Sequence, residues 1–458
     1  MKNNKLRIAL IVLTAVIFLA LIPWIFILTG NLAKDTEPPE ATPAAGEHMT
    51  ETPPAAQQPL TPAVEQPLPA VTPLPPAAEQ PPPTPEPVLE ERVIDIAMEH
   101  PDLAQELDRI AADFNCVAVS LVIYDGDKKE FFDYQYGFAD TGAKRRVDAD
   151  TKFRVASLSK LATVMCAMIL VDEKIIDLDE DISQYLGFRV RNPGFPDTPI
   201  TSRMLMQHTS SIHDSSDFLA SRQRSSSRSA KQLLDSGTSY QRVMPGTEFE
   251  YTNFGYSVLA AVCEVAYGKA FDLMARELLF EPMGIDAAYV PNRLSDTSNI
   301  ANMYTANHAL RRSVQAMLGM RDSSEIGRDV HLAQGSLVIS MIDYARLLAM
   351  LGNAGIYEDV SILSAASARE INNTIERGEE FDRGLSTRRS ELEFMPRGEA
   401  FWHTGSAYGT FAQYLQSVDG SNRGVVVITT GARTERLPGG MVIVCTELSE
   451  AAWTRLGF

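Results

Sequence analysis

From Ile8 to Thr29 the chain carries 22 residues without a charge, about 33 Å as a helix at ~1.5 Å per residue and enough to cross the hydrocarbon of a bilayer. Lys2, Lys5 and Arg7 precede it. The pattern predicts a signal anchor within residues 1–34, with everything after Lys34 outside the cytoplasm by the positive-inside tendency. A cleaved signal peptide is the rival, but its apolar region would be roughly 7–15 residues long and would end in a small-x-small cleavage site. Residues 35–89 have no apolar period at all; 17 of the 27 prolines fall between Thr36 and Val88. Such a segment favours extended polyproline II at ~3.1 Å per residue and reads as a spacer of up to about 160 Å.

Periodicity begins at residue 90 and continues to 458. Glu91 to Phe114 carries Ile94, Ile96, Leu103, Leu107 and Ile110 near one helical face, which predicts a helix. Cys116–Tyr124 and Glu130–Gly137 read as strands joined at Asp125-Gly126. Three more strand patterns lie near the other end, at Ala400–Thr404, Thr410–Gln416 and Gly424–Thr430, and Gly440–Leu456 is helical again. Between Ser157 and Ala366 nearly every periodic segment is helical, including Leu158–Leu170 and Tyr256–Leu278. The predicted fold is α+β: an antiparallel sheet built from both chain ends, flanked by terminal helices, with an inserted all-helical subdomain. A cleft would lie between them, with Ser157 at a helix start on one wall and His403–Ser406 on an edge strand of the other.

The formal net charge of −18 argues against nucleic acid or anionic lipid headgroups as main partners. Cys116, Cys166, Cys263 and Cys445 sit singly among apolar residues and read as buried free thiols. No metal-ligand spacing surrounds any cysteine or histidine, so no metal or cofactor is implied, and nothing in the sequence fixes an oligomeric state.

Three short strings carry chemistry, in this order: Ser157-Leu158-Ser159-Lys160, Tyr251-Thr252-Asn253 and His403-Thr404-Gly405. One helical turn between Ser157 and Lys160 puts a hydroxyl and an amine on one face, the arrangement that activates a serine nucleophile. With these strings in this order, and with Leu205–Ser210, Gly246–Tyr251 and Leu279–Gly284 between them, the region from Glu91 to Phe458 resembles the serine β-lactamase and D-alanyl-D-alanine peptidase superfamily, especially its class C β-lactamase-like branch. On that resemblance residues 90–458 form a serine hydrolase domain.

The resemblance implies that Ser157 is the nucleophile and that Lys160 and Tyr251 share proton transfer, without deciding which of the two takes the serine proton. It implies that Asn253 binds a substrate carbonyl and orients Lys160, that His403 and Thr404 meet the substrate carboxylate, and that Gly405 lets the acyl group lie close to the backbone. The backbone N–H groups of Ser157 and Ser406 would form the oxyanion hole. His403 stands where many relatives have lysine, so a group titrating near pH ~6.5 would replace a fixed charge and carboxylate binding would weaken as pH rises. Two departures, Ser211 after His208-Thr209-Ser210 and the string Ala333–Leu337, are expected near the cleft, where they would alter its width.

The expectation is a membrane-anchored, single-pass serine hydrolase facing away from the cytoplasm. Its substrate would be a peptidoglycan stem peptide or another small acyl compound, cleaved in the manner of a D-alanyl-D-alanine carboxypeptidase. A β-lactamase, an esterase or D-amino-acid peptidase, and a catalytically silent ectodomain that senses wall fragments or β-lactams remain as alternatives.

Overall fold

The computed structural model describes residues 90–458 except 222–227, 321–325, 328–329, 374–377 and 379. The anchor and spacer expected in residues 1–89 lie outside the described residues. Among those described, no helix is long and apolar enough to cross a membrane.

A nine-stranded sheet is assembled from the two ends of this region. Its strands are β1 (Arg92–Asp95), β2 (Ala118–Asp125), β3 (Glu130–Asp140), β4 (Arg145–Arg146), β5 (Asp382–Arg383), β6 (Arg388–Glu391), β7 (Glu399–Ala407), β8 (Thr410–Ser417) and β9 (Arg423–Thr430), in the order β1-β3-β2-β9-β8-β7-β6-β5, with β4 beside β3. The two central strands β2 and β9 are buried almost throughout because both faces of the sheet are covered there. Val119, Leu121, Ile123, Val425 and Val427 face helices α1 (Pro101–Asp113) and α5 (Ile443–Leu456). The alternate residues Val122, Tyr124, Val426 and Ile428 join the core that also contains α2 (Ser159–Asp172), α3 (Asn253–Tyr267) and α4 (Met341–Gly352). This period of two is what fixes the register.

Four local differences from the sequence reading have physical causes. The segment expected to be helical from Glu91 starts as β1, paired in parallel with β3 through Val93↔Phe131, so the sheet is antiparallel except at this pair. Pro101 then sits at the first position of α1, where its missing N–H costs nothing, while it holds His100 out of helical geometry. The helix expected over Tyr256–Leu278 stops at Gly268, which takes the left-handed cap at φ 78°. The inserted region is mainly helical but also contains a ribbon, Met303–Tyr304 with Leu310–Arg312, and the strand Val338–Ser340 paired with Lys152–Arg154.

The fourth difference concerns β7, expected at the sheet edge. It is internal over Glu399–Trp402, where β6 pairs with it, and its neighbour on that side ends there. Only His403–Ala407 is a local edge, and that stretch faces Ser157. The four cysteines are buried and free, as expected.

Candidate active site

Ser157 lies in a single 3-10 turn, Ala156–Leu158, that feeds α2. Ala156 is left-handed at φ 49°, a conformation costing a non-glycine residue roughly 1–2 kcal/mol that only firm surroundings maintain. Those surroundings are specific. Ser159 Oγ donates to Ala156 O at 2.6 Å, Leu337 N donates to Ser159 Oγ at 3.1 Å, and the hydroxyls of Tyr344 and Tyr289 donate to Leu158 O and Ser159 O at 3.0 and 2.9 Å.

Lys160, one helical turn on, is fully buried. Its Nζ has three oxygen partners: Ser157 Oγ at 3.2 Å, Asn253 Oδ1 at 2.9 Å and Gln334 O at 2.7 Å. Burial lowers its pKa from the ordinary lysine value, against the opposing influence of Tyr251 and Asp214. A neutral amine here would donate its two protons to Asn253 and Gln334 and leave its lone pair facing Ser157 Oγ. The Tyr251 hydroxyl donates to the same Oγ at 2.7 Å. Ser157 Oγ is thus approached by both an amine and a phenol, and both can exchange a proton with it.

Tyr251 and Asn253 are held by His208, which the sequence showed only as part of the Leu205–Ser210 string, and by Asp214, which carried no sequence signal. His208 is buried, accepts a hydrogen bond from Thr252 N at its Nδ1 (3.1 Å) and lies 4.5 Å from the Tyr251 ring. Asp214 gathers the start of α3: it accepts from Thr252 Oγ1 at 3.0 Å, Asn253 N at 2.7 Å, Phe254 N at 2.8 Å and Asn253 Nδ2 at 2.7 Å. A carboxylate at this position suits the helix N-terminus. It also fixes the Asn253 amide, because the Nδ2 end must face Asp214 and the Oδ1 end must face Lys160. Asp214 follows His208 by six residues, and only the fold shows that both turn back on α3.

The opposite wall is the local edge of β7. Gly405 lies so close to the Ser157 turn that an added Cβ would stand 2.4 Å from Val155 O and 3.3 Å from Ser157 N, which requires glycine there. His403 does not supply the expected titrating cation. It is 3% exposed, its Nδ1 lies 2.8 Å from Thr404 O, and burial beside Arg388 and Lys160 pushes its pKa well below 6.5. It is neutral at pH 7, with the Nδ1 proton on the carbonyl by hydrogen-bond assignment.

The fixed cations on this wall are Arg388 and Arg436. Arg388, on β6 opposite Trp402, stacks 4.4 Å from the Phe381 ring and 5.1 Å from that of Trp402. Arg436 Nη1 donates to Thr404 Oγ1 at 3.2 Å. Both line the same cleft, of about 780 Å³, as Ser157, Tyr251, Asn253, Thr404 and Ser406. Of the two departures, Gln334, Gly335 and Ser336 line the cleft, whereas Ser211 is not among its lining residues. Ser211 is left-handed at φ 63° with its Oγ accepting from Asn192 Nδ2 at 2.9 Å, so a glycine preference at that position follows from backbone geometry.

The neutral buried histidines have a consequence for stability. His208 and His403 both have folded-state pKa values depressed by burial, while the unfolded chain titrates near ~6.5. Below that pH the unfolded chain binds more protons, so their contribution is present above pH ~6.5 and lost as pH falls. Thermal unfolding between pH 5 and 7 should show Tm dropping with acidification. His403→Gln should reduce the dependence by about one proton, about 1.4 kcal/mol per pH unit; an unchanged slope would show that His403 is not neutral when folded.

A family profile described as Beta-lactamase matches residues 103–441. The chain belongs to the beta-lactamase family. It is 26% identical over 208 residues to the D-alanyl-D-alanine-carboxypeptidase/endopeptidase AmpH of Escherichia coli K12, covering 42% of this chain and 51% of AmpH. It is 25% identical over 361 residues to penicillin-binding protein 4 of Amycolatopsis lactamdurans, covering 73% of this chain and 86% of that one. The match thus spans about half of AmpH's own length. A class C beta-lactamase mutant superposes with a TM-score of 0.60 over 78% of this chain and 97% of its own, at 14% identity, a likeness of fold.

Proposed function

We propose that this family member is a serine hydrolase that works through an acyl-enzyme on Ser157, acting as a D-alanyl-D-alanine carboxypeptidase on peptidoglycan peptides. The observation that carries the reading is the convergence of Lys160 Nζ and Tyr251 OH on Ser157 Oγ, at 3.2 and 2.7 Å, at the floor of an open cleft. Burial favours the neutral form of Lys160, so the amine is the stronger candidate to take the Ser157 proton. Tyr251 is placed to relay it to the leaving group. Ser157 Oγ attacks the carbonyl carbon, the C–N bond to the leaving D-alanine breaks as the amine is protonated, and water then releases the acyl group.

In this reading Asn253 binds the acyl-side carbonyl through the Nδ2 proton that Asp214 does not take. The oxyanion sits between the N–H groups of Ser157 and Ser406. Thr404, flanked by Arg388 and Arg436, receives the substrate carboxylate. His403 and Gly405 shape that wall, which brings the nucleophile turn and β7 into contact. Because both arginines stay charged, carboxylate recognition should not fade as pH rises through 6–8. Residues 1–34 as anchor and 35–89 as spacer would hold residues 90–458 outside the cytoplasmic membrane, in reach of the wall. The support is the uncharged stretch Ile8–Thr29 and the proline content after it.

The reading is tested by intact-mass analysis of the full-length chain with penicillin and, separately, with a D-alanyl-D-alanine peptide. A lasting adduct together with D-alanine release is the expected result. A transient adduct with hydrolysed penicillin would make the protein a β-lactamase instead. Absence of any acyl adduct or product, with esters included, would leave the silent ectodomain.

A further inference from the structure

We propose that the cleft has a second anion-binding end, on the acyl side of Ser157, formed by Arg312 against Tyr408, and that the preferred acyl donors carry a carboxylate there. The inference rests on the acyl-enzyme reading above and concerns what the acyl half of its substrate is.

Strand β7 serves as the ruler. Arg388 is opposite Trp402 at one end, Gly405 is against the Ser157 turn in the middle, and Tyr408 is at the tip of the hairpin to β8. At ~3.3 Å per residue, Tyr408 is about 10 Å beyond Gly405, and Arg388 is about as far in the other direction. A donor laid along β7 with its carbonyl at Ser157 and its leaving group toward Thr404 and Arg388 therefore extends its acyl chain toward Tyr408.

That end of the cleft is built. Tyr408 and Gly409 both have positive φ, 54° and 83°, in the two-residue turn between Ala407 and Thr410. A tyrosine is a poor choice for such a turn, where asparagine or glycine is usual, and strain of this sort collects at functional sites. The Arg312 guanidinium lies 5.1 Å from the Tyr408 ring centre. Arg154 lies 5.3 Å from the same ring and is tied to Gly335 O at 2.9 Å.

Arg312 is not a loose surface side chain. Its ribbon is fastened to the hairpin, since Gly431 N, just past β9, donates to both Tyr304 O and Gly409 O at 3.1 Å and a Cβ on Gly409 would stand 2.1 Å from Tyr304 O. The opposite strand of the ribbon brings Arg312 level with Met303.

The charge of this end is what selects a ligand. Arg312 lines the cleft, is half-buried, and among the described residues has no carboxylate partner; there its Nη2 reaches Ala316 O at 3.5 Å and its Nε is buried without an acceptor. Among the described residues that line the cleft there is no Asp or Glu at all, in a chain of net charge −18. A planar guanidinium with unfilled donors beside an aromatic face suits a carboxylate at the end of an extended acyl chain.

The test uses the full-length chain and two penicillins that differ only in the end of the acylamino chain, hexanoyl and adipoyl, with methyl replaced by carboxylate. Second-order acylation rates are read by intact mass, and phenyl hexanoate and monophenyl adipate serve as the ester pair. The adipoyl compound should react about five-fold faster or more, and the advantage should shrink in about 0.5 M salt. Arg312→Gln should bring the ratio near one, and Arg312→Lys should keep part of it. The salt dependence of the unmodified protein provides a reading independent of any variant's folding. If both compounds acylate the protein at similar rates, or if the ratio survives Arg312→Gln, the subsite is wrong and the acyl-enzyme reading stands. If neither pair forms an adduct or releases phenol, both fail together.

Discussion

Replacing Ser157 with alanine is expected to lower turnover of any acyl substrate by about 10⁴-fold or more and to abolish the covalent adduct, because among the described residues no other serine hydroxyl is approached by both Lys160 Nζ and Tyr251 OH. Stability should hardly change, and could rise slightly. The 3-10 turn is held by Ser159, Leu337, Tyr344 and Tyr289 rather than by the Ser157 side chain. Lys160 keeps Asn253 Oδ1 and Gln334 O as partners when Oγ is gone. The measurement is acylation by intact mass together with Tm for the same preparation. Turnover within tenfold of the unmodified protein would remove Ser157 from the mechanism, whereas a collapsed Tm would show that the turn depends on Oγ and not on the network around it.

The second large effect is expected at Asp214. Alanine there removes the acceptor of four hydrogen bonds, from Thr252 Oγ1, Asn253 N, Asn253 Nδ2 and Phe254 N. Loss of the helix cap should cost about 1–3 kcal/mol. The chemical loss should be larger, roughly 10²-fold in kcat/KM, since an unrestrained Asn253 amide can present its NH₂ end to Lys160 and withdraw from the substrate.

A readout separates positioning from simple destabilisation. Asp214 raises the Lys160 pKa, so removing its charge should move the acid limb of the kcat/KM profile to lower pH. The amine would then remain neutral further into the acid range. Asp214→Asn keeps the size but sets its own NH₂ against that of Asn253, and should show the same shift of the limb with a smaller loss of Tm. An unmoved acid limb in both variants would reduce Asp214 to a helix cap.

These effects show which kinds of information the chain makes legible. The motif residues Ser157, Lys160, Tyr251 and Asn253 could be found from their spacing and order, and the structure brings all four together. Ser157 and Lys160 meet because they are one helical turn apart, a local matter. The strand patterns at Cys116–Tyr124 and Gly424–Thr430 likewise marked two strands of the sheet, whereas their central place in it is a matter of the fold. Asp214 and Arg388 were not legible, and His208 was visible only as a letter of the Leu205–Ser210 string, without its role. An isolated acid, histidine or arginine in a polar string has no period, and nothing local says that Arg388 is to stand opposite Trp402 or that Asp214 is to turn back onto α3.

His403 marks the boundary most clearly. Its letter in the third motif predicts a group titrating near pH ~6.5. Its protonation state depends on being 3% exposed beside Arg388 and Lys160, and both conditions come from distant strands and helices.

The sequence by itself determined the candidate reacting side chains, their order, the α+β class and the division into an uncharged stretch, a proline-rich stretch and a periodic region. These follow from residue type and from contacts within a turn or a strand. Tertiary structure alone decided which cations line the cleft, that β7 is open only from His403 onward because β6 ends opposite Trp402, and that Arg312 stands beside Tyr408. Each of these sets residues from separate segments at hydrogen-bonding or stacking distance, and dielectric and geometry at that range are properties of packing rather than of any local string.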